Sequence, residues 1–206
     1  MHKQKNINLA LLTIALFIFT VISQVKSYAE GIITFGPRET KIEGSIKYTV
    51  IGQYNAHFDI FKGRIIVDGG SQKVQSVYLE IEAGSIRSRH PWCDKLARSR
   101  RLLNTARYPK IIFKSDKIMF DESGYKVKGV LEMHGIKKRM IFPFESRIIT
   151  DQNSGRKILV LKGSWDIDRK DFNIIWNKYL DQGGLVVSDE FTVDWGIRAY
   201  IGKALY

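Results

Sequence analysis

The sequence predicts an all-β fold, an eight-stranded antiparallel barrel with a short helical insert near residues 92–106. Three observations point there. Eight segments alternate apolar and polar residues with the period of two that sets one strand face against a core. The connections between them are too short for crossovers, so neighbouring strands run antiparallel. In mid-chain, from Ser85 to Ser115, the alternation stops and a densely basic stretch with helical spacing takes over.

The first 29 residues stand apart from this pattern. Lys3 and Lys5 form a short positive region, Leu9 to Ile22 is almost wholly apolar, and Ser27-Tyr28-Ala29 has the small-x-small form of a secretory cleavage site. The apolar run is shorter than the roughly 20 residues of a membrane span. Residues 1–29 therefore read as a signal peptide, with an uncleaved anchor as the alternative, and the body is expected in the periplasm or secreted. No Cys follows the run, which argues against a lipoprotein. Residues 30–206 read as a single barrel domain, and the chain's 44 % hydrophobic and 26 % charged residues are globular composition.

Taken in order, Gly31 to Thr40 is an extended lead containing Pro37, and Ile42 to Ile51 alternates cleanly before Gly52. Ala56 to Val67 has an odd step between Phe58 and Phe61, a signal for a bulge or bend of the kind sheet closure needs. Asp68-Gly69-Gly70-Ser71 is a turn, and Val74 to Ala83 is the next strand. In the insert, Asp94 to Ala106 reads as a helix with Asp94 as N-cap and Pro109 as its stop. Lys110 to Phe120, Tyr125 to Met133 and Lys137 to Ile149 follow, joined by turns at Asp121–Gly124 and His134-Gly135. Ile158 to Ile167 is a further strand, Asp168 to Asp181 is irregular and aromatic, and Glu190 to Ala199 closes the series. Half-polar strands of this kind close economically into an up-and-down barrel, whose interior either fills with side chains or holds one small ligand. A two-sheet sandwich shows similar patterning.

The formal charge is +12. Three cations (Lys3, Lys5, Lys26) lie in the leader, and the remaining 30 bases face 21 acids. Such a balance suits anionic partners. Cys93 is the sole cysteine, so no internal disulfide forms, and the only base near it is His90 with no carboxylate placed to orient it. His90-x-x-Cys93 is the one close metal-ligand spacing and lacks a second pair, so no metal is expected. Asp166, Asp168 and Asp171 resemble a carboxylate group of an enzyme, but with Arg169 and Lys170 between them they read as pairing partners that pin a bend. His134, before a glycine in a turn, is expected to bond to backbone. No nucleophile–base pair or Gly-rich phosphate loop is present, so the chain is read as non-enzymatic with no cofactor.

Several segments then line up, in order, with a known family. Ser85-Ile86 with C-D-K-L-A-R-S-R-R-L-L-N-T-A-R-Y-P-K-I-I-F-K-S resembles the signature of the YceI-like family, where a Ser-Ile strand end leads through Arg-Asp-x-His-Leu to Tyr-Pro-x-Ile-x-Phe-x-Ser. Y-K-V-K-G-V-L-E-M-H-G-I-K-K resembles its His-Gly hairpin, G-S-W-D-I-D-R-K-D-F-N its Arg-x-Asp-Phe-Gly segment, and V-S-D-E-F-T-V-D-W its closing strand. With A-H-F-D-I-F-K-G-R-I the likeness spans Lys41 to Trp195. Cys93, Leu96, Asp168 and Asn173 depart from it, standing where the family has Arg, His, Asn and Gly. The resemblance implies a lipocalin-like barrel, exported, holding a polyisoprenoid or similar long amphiphile in its cavity.

An isoprenoid needs a dry tunnel. The candidate lining residues are Tyr48, Phe58, Phe61, Phe113, Leu131, Met133, Phe142 and Trp165, which otherwise fill a solid core. Arg98, Arg100 and Arg101 are the candidates for contact with an anionic head group or membrane surface, against the plainer reading of a solvated helix face. The expected partner is a long-chain isoprenoid lipid such as an isoprenoid quinone, sequestered or ferried. An anionic membrane surface is a second partner, nucleic acid is not one, and a homodimer is left open. The rival reading is a filled barrel that binds an anionic polymer, a membrane surface or a protein through its basic face.

Overall fold

The computed structural model describes residues 31–38, 40–48, 52–176 and 187–201. The proposed leader, residues 1–29, lies outside them. Eleven strands are formed: β1 (Gly31–Phe35), β2 (Thr40–Tyr48), β3 (Gly52–Phe58), β4 (Phe61–Val67), β5 (Val74–Glu82), β6 (Ile86–Ser88), β7 (Lys110–Asp121), β8 (Gly124–Met133), β9 (Ile136–Thr150), β10 (Lys157–Asp168) and β11 (Val187–Tyr200). Among the described residues one α-helix, α1 (Pro91–Arg98), lies between β6 and β7.

Bends explain why eleven strands make eight staves. β1 leads into β2, β3 into β4, and β5 into β6, and within each couple the second half pairs with a different neighbour from the first. Phe58 and Phe61 flank one of these bends, at the odd step in the sequence. It is held across the sheet: the Asp59 amide donates to the Ser85 carbonyl at 3.2 Å and the Glu82 amide to Ile60 at 3.0 Å. Joined in this way, each stave is antiparallel to the next in the chain. The last, β11, pairs back onto β2 with Trp195 opposite Ile42, which closes the ring. The expected eight-stranded antiparallel barrel is the architecture, and the extended lead ahead of Thr40 is itself paired, as β1 against β4.

Local chemistry sets the turns. His134 and Gly135 both take positive φ (53° and 76°), the two left-handed residues that a two-residue hairpin between β8 and β9 needs. At the opposite end Asp121 accepts from the Ser123 amide at 2.9 Å across the β7–β8 turn.

The helix differs from expectation. It starts at Pro91, whose fixed φ and missing N–H suit a first helical position, and it ends at Arg98, well short of Ala106. His90, not Asp94, is the N-cap residue; Asp94 lies inside the helix and is buried. Residues 99–107 continue as turns, with Asn104 left-handed at φ 46° and its amide bonded to the Ser99 carbonyl at 2.8 Å. This segment lies over the end of the barrel that also carries the β8–β9 hairpin, since Tyr108 packs edge-on against His134 with ring centroids 4.5 Å apart.

The interior is divided. Towards the turn end, Ile65, Val67, Leu159 and Leu161 are at most 1 % exposed and, with Ile33, Val127 and Phe144, form a solid core. Towards the lid end the barrel is hollow.

Candidate functional site

The hollow half encloses a cavity of about 240 Å³ whose wall is almost wholly hydrocarbon and aromatic. Strand alternation builds it. Ile42, Gly44 and Ile46 of β2 face inward, as do Leu79 and Ile81 of β5, Leu131 and Met133 of β8, and Phe191, Val193 and Trp195 of β11. The helix supplies the roof. Cys93, Leu96 and Ala97, at i, i+3 and i+4, form the single face that α1 turns to the cavity, and Leu102 and Leu103 extend it beyond the helix.

Inward glycines keep the space open. Trp195 lies against Gly163, where an added Cβ would come within 2.7 Å of the indole nitrogen, and Phe113 lies against Gly129 in the same manner at 2.8 Å. Phe35 covers Gly63. In each case ring atoms occupy the space that a side chain at the glycine would take. Gly44 has no such cover: a Cβ there meets nothing closer than two backbone oxygens at 4.0 Å.

Of the expected lining residues, Phe58, Phe113, Leu131, Met133 and Trp165 lie on the cavity wall. Phe61 and Phe142 do not. Both are buried in the packed core, Phe142 stacking behind Trp165 with centroids 4.1 Å apart and planes 8° from parallel. The Tyr48 side chain lies outside the described residues. Missed from sequence were Tyr54, Phe191 and Trp195, whose inward register the alternation already carried, and the whole roof of α1.

Few polar groups reach the wall. Among the described residues neither the buried Thr40 hydroxyl nor the buried Trp195 indole N–H has a hydrogen-bond partner. Arg169 is 3 % exposed, yet its guanidinium is well satisfied. Nε donates to the Ser188 carbonyl at 2.8 Å, one terminal nitrogen to the carbonyls of Ile174 and Trp176, and the other to Asp189 at 3.2 Å. The expected pinning of this bend is what Arg169 does, with Asp189 as the carboxylate. The three aspartates near it are separately engaged: Asp166 accepts from Thr192, Asp168 from the Lys170 amide, and Asp171 pairs with Lys138. His134 Nδ1 lies 2.9 Å from the Phe172 carbonyl, the backbone bond expected of it.

A buried polar latch holds the roof. The Asp94 carboxylate accepts from the Ser88 hydroxyl at 2.6 Å and from the Tyr54 hydroxyl at 3.0 Å, which ties α1 to β6 and β3. Burial acts to raise its pKa, but the bonds from Ser88 and Tyr54 and the nearby Arg98 charge outweigh burial and hold the carboxyl below its ordinary value. Burial, with the Asp94 bond and charge adding, pushes the Tyr54 hydroxyl up to about 12. Burial, then the Asp94 charge, pushes the Cys93 thiol up as well, so the thiol is the resident form at neutral pH.

The three candidate arginines separate. Arg98 donates to the Ile86 carbonyl at 2.8 Å and works as a second fastening of the helix. Arg100 and Arg101 are exposed, Arg101 lying over the Trp176 ring at 5.9 Å.

Comparison with known proteins agrees with this fold. A UPF0312 protein of Yersinia enterocolitica is 29 % identical over 165 residues, covering 79 % of this chain and 84 % of the relative. Burkholderia cenocepacia BcnA superposes with a TM-score of 0.63 at 19 % identity, covering 78 % of this chain and 96 % of that one. A polyisoprenoid-binding domain from Saccharophagus degradans superposes at 0.58 and 14 % identity, covering 84 % and 99 %. The sequence model of the YceI-like domain matches residues 34–199, and the chain belongs to the YceI-like family.

Proposed function

We propose that the protein is a non-enzymatic carrier that binds one long isoprenoid chain in the hollow half of its barrel, for sequestration or transport. The observation that carries this reading is the cavity itself: covered by α1, walled by aliphatic and aromatic side chains, with glycines beneath the rings. The polyisoprenoid-binding domain with the same fold supports it. Such a site recognises length and shape. Each five-carbon unit brought out of water contributes up to about 4 kcal/mol, at about 0.8 kcal/mol per CH₂, against an association cost of about 4–15 kcal/mol. One unit at most matches the lower end of that cost, whereas about four exceed its upper end. An isoprenoid quinone fits the two unpartnered wall groups, since a ring oxygen accepts from the Thr40 hydroxyl or the Trp195 N–H.

Trp165 and Trp195 stand on the wall and report occupancy directly. Titration with isoprenoid quinones of increasing tail length should change their fluorescence saturably, with affinity rising with each added unit until the cavity is full. Affinity independent of tail length would refute a chain-binding cavity. The proposal includes export by residues 1–29. Protein recovered from the periplasm and sequenced from its N-terminus should begin at Glu30, and recovery in the cytosol with the leader intact would remove this part.

A further inference from the structure

Between Arg87 and Lys110 eight cations face a single acid, Asp94. The structure sorts them. Arg87 pairs with Asp59 at 2.6 Å, Lys110 with Glu80 at 2.7 Å, and Arg98 bonds to the Ile86 carbonyl. Asp94 is turned inward to Tyr54 and Ser88, so it places no negative charge on the surface. Arg89, Lys95, Arg100, Arg101 and Arg107 remain exposed, with no carboxylate partner among the described residues. Two of them ride on rings, Arg101 over Trp176 and Arg107 over Tyr108 at 5.4 Å. On the barrel wall, by contrast, Lys62, Lys126, Lys162 and Arg139 each sit in an ion pair. Wall cations with no ion pair among the described residues, such as Lys73, Lys117 and Arg147, stand on different strands and turns.

The same end carries exposed apolar groups. Trp92, in the first turn of α1, is 53 % exposed, and Ile175, next to the Trp176 that Arg101 covers, is 68 % exposed. Unpaired cations interspersed with an exposed indole and a branched aliphatic side chain are the composition of a surface that lies in a lipid interface. The cations meet anionic head groups, and the indole sits at head-group depth.

We propose that the lid face docks on an anionic phospholipid bilayer, with Arg89, Lys95, Arg100, Arg101 and Arg107 against the head groups and Trp92 and Ile175 entering the interface. The surface charge and exposed side chains carry this proposal by themselves. Its use, loading the cavity without drawing a hydrocarbon chain through water, rests on the isoprenoid reading above. Roofing the cavity with the docking face puts lipid within reach of α1, the element whose inner side lines the cavity.

Co-sedimentation of the mature chain with vesicles tests it. The wild type should bind phosphatidylglycerol-containing vesicles in low salt, release them in high salt as screening shortens the reach of the charges, and ignore pure phosphatidylcholine. Arg100→Glu/Arg101→Glu/Arg107→Glu should weaken binding on the order of 100-fold, since each cation near an anionic surface contributes about fivefold. Lys73→Glu/Lys117→Glu/Arg147→Glu makes the same change in net charge elsewhere and should leave most of the binding. Trp92→Ala, which keeps the charge, should weaken it about fivefold or more. Equal loss in the two triple variants would assign the effect to net charge and overturn a docking face. Failure of the wild type to bind anionic vesicles in low salt would overturn it without any variant, and would leave the cavity's contents to be decided by the quinone titration.

Discussion

Replacing Gly44 with leucine puts four carbons into the cavity at an inward glycine of β2 that no ring covers. An added Cβ there meets only the Ala56 and Thr192 carbonyl oxygens, both at 4.0 Å, so the strand need not move. Gly44 pairs with Val193 on one side and Ala56 on the other, well inside β2, where glycine itself weakens a strand. The variant should therefore fold, with a stability equal to or above the wild type. Its new side chain occupies room that a bound chain would use. Displacing about four carbons of ligand at about 0.8 kcal/mol each removes about 3 kcal/mol, roughly a 200-fold loss of affinity. Tryptophan fluorescence titration with a long-tailed isoprenoid quinone measures this, and denaturant unfolding run in parallel confirms the fold. A folded Gly44→Leu protein with wild-type affinity would refute the claim that the ligand occupies this cavity.

Other consequences are as specific. Removing the latch with Asp94→Ala strands the Tyr54 and Ser88 hydroxyls at a cost of about 1–3 kcal/mol, and should make the buried Cys93 thiol modifiable many-fold faster; an unchanged modification rate would show that Asp94 does not hold the roof. The latch is also pH-dependent. Because the native Asp94 carboxyl lies below its ordinary value, its contribution is complete above about pH 4–5 and lost as pH falls through the lowered native value. Cys93, followed with a dipyridyl disulfide that reacts in acid, should open below about pH 4 in the wild type, and an acid-insensitive rate would contradict this. Arg169→Met leaves three carbonyls and Asp189 facing a buried apolar side chain and should cost about 3–5 kcal/mol of unfolding free energy, whereas a loss under about 1 kcal/mol would mean the bend is held by other contacts. Gly163→Val must displace the Trp195 ring, and should lower both stability, by about 1–3 kcal/mol, and the number of isoprene units bound; unchanged chain-length dependence would count against the glycine-under-ring account.

The strands were legible because alternation is a direct imprint of a barrel with one wet and one dry face, and each of the eight expected segments has its stave. Alternation reports which side a residue faces, though not whether that side is filled. Phe142 and Trp165 both point inward and both were expected on the cavity, yet Phe142 sits behind Trp165 because packing order at one level depends on neighbours from other strands. The glycine-and-ring arrangement was hidden for a related reason: Gly163 and Trp195 are 32 positions apart in the chain, and only the β10–β11 register makes them opposite. Asp94 misled through local chemistry. It is a good N-cap residue, but Pro91 fixes the start of the helix three residues earlier, and the carboxylate bonds to Tyr54 from a strand 40 positions away. Arg98 looked like one more surface cation and turned out to be a fastening, since nothing in a basic run tells which guanidinium meets a carbonyl.

An isoprenoid chain held in the hollow half of the barrel should travel with the protein through purification. Native mass spectrometry of the mature protein purified from its own compartment, with organic extraction of what travels with it, tests it most directly. A one-to-one complex with a species of isoprenoid mass, lost in Gly44→Leu, is the expected result. An apo mass that stays unchanged after incubation with long-tailed isoprenoid quinones would contradict it.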